Sequence, residues 1–166
     1  MTSLFDDTKV SKSNIRVDSY GSIDELNSLL GVCSAFAKQN LIKKELEKIQ
    51  NDLLDIGSAL ATPHPLPVDG LLERSKEFEL LIDKLTAKMP VLKSFILPSG
   101  SKGGSFLHLA RSVSRRVERR IVELSKKEEV NPEILIYLNR LSDLLFTFAR
   151  FENYKGKSRE KIWRKK

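Results

Sequence analysis

The chain reads as an all-α protein, an antiparallel five-helix bundle, on three observations. Five segments repeat apolar residues at three- and four-residue spacing, the mark of a helix with one buried face. Glycine and proline are scarce, eight and six in 166 residues, which leaves little material for a fold of strands and turns. The breaks between periodic segments are short and carry helix stops: Ala61 to Pro67, Met89-Pro90 and Asn131-Pro132. Short connections oblige each helix to return beside the one before it. The length suits one domain, read as an arm over 1–19, a helical bundle over 20–154 and a basic tail over 155–166.

Taken in order, the arm lacks sustained periodicity, and its Ser3, Lys9, Ser11 and Lys12 are polar groups able to reach a phosphate. Ser22-Ile-Asp-Glu25 has the spacing of a capping box, so the first helix is expected to start with Ser22 as its N-cap. Ile23, Leu26, Leu30, Cys33 and Ala37 form its core stripe. Asp24, Asn27, Gly31 and Ser34 form a second stripe, small and polar, that lets another helix come close. Asp24 is either an acid favoured by the positive end of the helix dipole or the partner of a buried arginine. The second helix, about Leu41 to Leu60, turns Leu46, Ile49, Leu53, Ile56 and Leu60 inward. His64, in the proline-rich break, is expected to be ordinary. The third helix, about Leu71 to Lys88, turns Phe78, Leu81, Ile82 and Leu85 inward.

Phe95-Ile-Leu-Pro98 leads into Gly100-Ser-Lys-Gly-Gly104, which lacks the spacing of a Walker A loop and is read as a tight turn before the fourth helix. By apolarity alone Phe95 is a core residue. The fourth helix, about Ser105 to Lys127, buries Phe106, Ala110, Val113, Val117, Ile121 and Leu124. The fifth has Asn131 as N-cap and Pro132 in its first turn, and buries Leu135, Leu138, Leu141, Leu145 and Phe148. Its other stripe is Asn139, Asp143, Phe146 and Arg150.

The charge is uneven. Net charge is +7, yet Arg150 to Lys166 holds eight Lys or Arg and two Glu, so the tail carries most of it. Such a tail is a solvated end, or it meets an anionic ligand or nucleic acid; Trp163 within it suggests docking. Cys33 allows no intrachain disulfide and sits on a core stripe, where it is a small buried hydrophobe. No apolar run is long enough to span a bilayer, and the N-terminus does not resemble a signal peptide. These features lead to a cytoplasmic expectation with no membrane partner. Two histidines in different elements and one cysteine predict no protein-held metal centre, and ExxH pairs and a GxSxG elbow are absent.

The fourth helix carries a second stripe, Arg111, Arg115, Glu118 and Arg119, with Arg116 and Arg120 alongside. Arginines one turn apart repel unless an anion lies against them, and the guanidinium fork suits phosphate oxygens. Glu118 and Asp143 are placed to orient these arginines or to hold a phosphate-associated Mg²⁺, and Asn139 to read a ribose or base edge. The alternatives are a solvated basic face laced with acids, or a face for nucleic acid; the interleaved acids speak against nucleic acid.

Four motifs now stand in order: Tyr20-Gly-Ser-Ile-Asp-Glu-Leu-Asn27, Phe95-Ile-Leu-Pro98, Leu107-His-Leu-Ala-Arg-Ser-Val-Ser-Arg-Arg-Val-Glu-Arg119 and Tyr137-Leu-Asn-Arg-Leu-Ser-Asp143. Together they resemble the propanediol-utilisation (PduO) type of ATP:cob(I)alamin adenosyltransferase, over nearly all of the chain from Ser3 to about Tyr154. The resemblance implies a homotrimer with active sites at subunit interfaces. It implies transfer of the 5′-deoxyadenosyl group of ATP to the cobalt of cob(I)alamin, with Mg²⁺ accompanying ATP. Partners it implies are a corrinoid reductase or an adenosylcobalamin-dependent acceptor enzyme. By the same resemblance Lys12, Arg115, Glu118, Arg119 and Asn139 match ATP-site positions, Arg116 is grouped with them, and Ser3 ends the N-terminal ATP loop. Arg111 matches an arginine that pairs with the aspartate matched by Asp24 across the interface. Phe95 matches the aromatic under the corrin, where it displaces the lower axial ligand. The family's Gly-Asp loop that wraps the triphosphate is missing before Met1-Thr-Ser: either the start is truncated or misassigned, or this member binds ATP with fewer contacts. That departure gives the alternative expectation, a catalytically weakened cobalamin- or ATP-binding protein.

Overall fold

In the computed structural model, residues 2–3, 9–10, 14–62 and 66–164 are described. Two short strands, β1 (Thr2–Ser3) and β2 (Lys9–Val10), pair antiparallel with Thr2 opposite Val10. Five helices follow: α1 (Ile15–Phe36), α2 (Asn40–Leu60), α3 (Leu71–Thr86), α4 (Lys102–Ser125) and α5 (Pro132–Lys155). Consecutive helices run up and down as expected. In cross-section the neighbours are α2, α1, α4, α5 and α3. Packing partners trace these directions. Arg116 meets Glu25 near the middle of α4, and Phe36 stacks on Phe106 at its start, so α1 and α4 are antiparallel. Phe78 meets Tyr137 in the first half of α5, and Pro90, just past the end of α3, meets Arg150 near the end of α5, so the non-consecutive pair α3 and α5 runs parallel.

The core is the set of inward stripes. Leu26, Leu30, Ile49, Leu53, Ile56, Leu107, Val117, Ile121, Leu138, Leu145 and Phe148 are all fully enclosed. Removing apolar area of this extent from water is what holds the helices together. Leu81, Ile82, Phe106 and Leu135 are half-buried and pack against that core. Cys33 is buried as expected, and its burial pushes the thiol up to about 12, which leaves it without nucleophilic character.

The start of α1 differs from expectation. Asn14, not Ser22, is the N-cap; its side chain accepts from the Arg16 N–H at 2.8 Å. Ser22 lies inside the helix, where its hydroxyl donates to the Asp18 carbonyl. The extra turns are buried through polar groups. Arg16 is enclosed, donates to the carbonyls of Leu60 and Thr62, and holds Glu128 at 2.6 Å. One guanidinium thus ties the starts and ends of α1, α2 and α4 together at this end of the bundle.

The glycine-rich run also differs. Gly103 and Gly104 belong to the first turn of α4, whose N-cap is Ser101. A Cβ at Gly103 would lie 2.8 Å from the Phe36 carbonyl oxygen, and one at Gly104 would lie 2.1 Å from Asn153 Oδ1. These glycines let α4 seat against α1 and α5. Asn153, buried, accepts from the Ser101 N–H at 2.9 Å and donates to the Ser99 carbonyl at 2.9 Å. Beside it, buried Glu152 accepts from the N–H groups of Lys38 and Gln39, capping the tight α1–α2 turn. The N-cap of α5 is Asn131 with Pro132 following, as the sequence reading has it.

Candidate active site

The outward face of α4 and the adjoining face of α5 shape two clefts. The first, of about 300 Å³, is lined by Leu92, Phe95, Arg111, Arg115, Asp143 and Phe146. The second, of about 630 Å³, lies along α4 and is lined by Arg115, Glu118, Arg119, Glu123, Lys126 and Lys127. Arg115 is common to both, so one guanidinium stands between an aromatic recess and a basic trough.

Helix phase divides the five arginines. Arg116 and Arg120 point to α1, where Arg116 grips Glu25 with two contacts of 2.6 Å and Arg120 pairs with Asp18. Arg116 therefore lines neither cleft, and its expected grouping with the nucleotide ligands has no support in this geometry. Arg111, Arg115 and Arg119 make no ion pair among the described residues. The three cations whose stacking calls for an anion are those left facing the clefts.

Arg111 lies with its guanidinium 5.9 Å from the Phe146 ring centroid, and its Nε is buried without a partner. Glu118 accepts from the Asn139 amide at 3.0 Å, which brings together two residues from different helices singled out in the sequence. Asp143 faces the first cleft and also meets Arg140 at 3.5 Å. Behind the cleft wall, His108 packs against Phe146 at 5.9 Å with its Nε2 unpartnered. Its pKa is lowered, first by burial and then by the Arg111 charge, with Glu160 acting the other way.

Phe95 overturns the core reading made from apolarity alone: it is 80% exposed at the rim of the first cleft. Trp163 docks there, as its presence in the tail suggests. Its ring stands edge-on to Phe95 with centroids 6.4 Å apart. Leu92, Phe146 and the lysines at the end of α4 were not singled out as site residues in the sequence. For Phe146 and Lys126 the signal is phase, since Phe146 falls one turn from Asp143 and Lys126 two turns from Arg119, whereas Leu92 lies outside any helix and has none.

Asp24 lies elsewhere. It is exposed in a groove of about 320 Å³ between α1 and α2, with Tyr20, Asn27, Leu54 and Ser58. Within one chain Asp24 and Arg111 are on different faces. Asn27 Oδ1 in that groove is buried without a partner, while its Nδ2 donates to the Gln50 carbonyl. Ser3 is placed in β1 by its backbone; Lys12 and His64 lie outside the described residues. Among the described residues no three His, Cys, Asp or Glu side chains gather as a metal site, and no helix is long and apolar enough to cross a membrane.

The cobalamin adenosyltransferase family model matches residues 1–152. The corrinoid adenosyltransferase of Bacillus subtilis is 46% identical over 150 residues, covering 87% of this chain and 78% of that protein. The human corrinoid adenosyltransferase MMAB is 40% identical over 173 residues, covering 99% of this chain and 69% of that protein. A variant PduO-type ATP:corrinoid adenosyltransferase from Lactobacillus reuteri, complexed with cobalamin and ATP, superimposes with a TM-score of 0.94 at 36% identity, covering 99% of this chain and 94% of that one. These relatives favour the adenosyltransferase reading over the weakened binding protein. On the family match and these identities, the chain belongs to the cobalamin adenosyltransferases.

Proposed function

We propose that this chain transfers the 5′-deoxyadenosyl group of ATP to cob(I)alamin, with triphosphate in the basic trough and the corrin in the aromatic recess. The observation that carries this assignment is Arg115, which lines both clefts and so sets the two substrates side by side. The cobalt(I) electron pair forms the Co–C5′ bond, the C5′–O bond breaks, and its electrons leave on triphosphate. Cobalt(I) is the nucleophile, so the protein needs no catalytic base. Its work is alignment and stabilisation of the leaving charge.

Arg115 and Arg119 hold the triphosphate as charge-assisted donors, with Lys12 and Ser3 from the N-terminal arm completing that set. Asn139 fixes Glu118 and meets the nucleoside. A magnesium ion carried with ATP suits this trough because a hard cation takes carboxylate and phosphate oxygens together. Glu118 would hold it, and it would supply charge neutralisation. Phe95 sits under the corrin and occupies the lower axial position without donating a lone pair. A four-coordinate cobalt(II) is then easier to reduce by a corrinoid reductase, and an adenosylcobalamin-dependent acceptor enzyme takes the product. The assembly is a homotrimer in which Asp24 of one subunit pairs with Arg111 of the next.

The test is adenosylcobalamin formation from cob(I)alamin and MgATP under strong reductant. Transfer at the background rate would sink the assignment. Phe95→Ala is expected to lower turnover by about a hundredfold while leaving the KM for ATP within about twofold. A loss confined to thermal stability would return Phe95 to a structural role.

A further inference from the structure

The segment that carries Phe95 is held by the C-terminal tail. Residues 87–101 form no helix, and an 80%-exposed ring takes little hold from the core. The backbone bonds around Phe95 run to the tail instead. The Leu97 N–H donates to the Lys161 carbonyl at 2.8 Å, and the Trp163 N–H donates to the Phe95 carbonyl at 2.8 Å. Ile96 and Ile162 form an antiparallel bridge between these bonds.

The tail reaches that position by a fixed route. After α5 the chain reverses through Lys157, whose φ of 54° is left-handed. The N–H groups of Lys157 and Ser158 bond back to the carbonyls of Tyr154 and Asn153, closing the helix end in a Schellman pattern. Three residues on, Glu160 is gripped by Arg150, with Nε to Oε1 at 2.7 Å and Nη2 to Oε2 at 3.3 Å. Arg150 is 6% exposed, and the same guanidinium donates to the Pro90 carbonyl at 3.0 Å. One buried cation therefore fixes both the start of the Phe95 segment and the strand that pairs with it.

We propose that the tail is a splint for Phe95, and that Arg150 and Glu160 are positioning residues for the transfer reaction. They touch neither substrate and act through the 95–97 and 161–163 backbone pairing. The proposal rests on the adenosyltransferase reading. It also explains why a buried arginine stands on the otherwise site-facing stripe of α5.

Trp163 is the chain's one tryptophan, so its fluorescence reports docking of the tail without any ligand. In the full-length chain Glu160→Gln keeps the side-chain size and removes the charge that Arg150 holds. Arg150→Lys keeps the charge but cannot hold Glu160 and Pro90 together. Both are expected to red-shift Trp163 emission and raise its quenching by acrylamide. Both should lower turnover of cob(I)alamin by about tenfold, with the KM for ATP within about twofold. Unmoved emission in both variants would overturn the splint, as would shifted emission with native turnover. A native chain that transfers nothing would sink the adenosyltransferase reading itself, whereas unmoved emission beside an active native chain removes the splint alone.

Discussion

Arg116 and Arg119 are three residues apart on one helix, and their phase sends one to Glu25 and leaves the other in a cleft. Residue type alone does not separate them; the neighbouring helix does. Phe95 makes the same point, since its apolar ring reads as core until its exposure and its place at a cleft rim are known. His108 gives a residue-scale prediction. Burial lowers its pKa in the folded chain, so the unfolded chain binds more protons as pH falls below the ordinary value of 6.5. The stability contribution is complete above pH 6.5 and is lost as pH falls through the lowered folded value. The melting temperature is expected to fall as pH drops below 6.5. His108→Leu should flatten that slope; an unchanged slope would assign it to other groups.

At the scale of elements, the helices whose burial is apolar were legible and those ends whose burial is polar were not. Leu46, Ile49, Leu53 and Ile56 mark α2, and Asn131 and Pro132 mark the start of α5. The first turns of α1 escaped because their contact is made by the Arg16 guanidinium and by Ser19 and Ser22 hydroxyls bonded back to the carbonyls of Ile15 and Asp18. A hydrophobic period cannot register such a surface. The start of α4 escaped because glycine there serves close approach and not a turn. Gly104→Ala is accordingly expected to destabilise the chain by about 1–3 kcal/mol through overpacking on Asn153, lowering Tm by roughly 2–10 °C. Gly31→Ala, whose Cβ would meet Gln50 at an ordinary 3.5 Å, should be neutral or stabilising through helix propensity. Equal losses at both positions in thermal denaturation would contradict this account.

At the scale of the whole molecule, two surfaces of one chain carry complementary deficits. The α1–α2 groove presents the Asp24 carboxylate and the unpartnered Asn27 Oδ1. The α4–α5 cleft presents Arg111 with an unpartnered Nε. Buried polar atoms without partners are costly, and a cyclic assembly that sets one surface on the other satisfies both in every subunit. A head-to-tail contact of this kind closes into a ring when the rotation between subunits divides a full turn, as the proposed homotrimer requires. Both Asp24→Arg and Arg111→Asp should then weaken assembly, because each places like charges across the interface. The double variant Asp24→Arg/Arg111→Asp restores opposite charges and should recover much of the assembly. Sedimentation velocity reads this directly and does not depend on turnover, which Arg111→Asp is expected to damage for its own reasons. Single variants that sediment as the native chain does would show that Asp24 and Arg111 do not meet across the interface. Singles that dissociate with no recovery in the double would show that each residue matters there through some other partner.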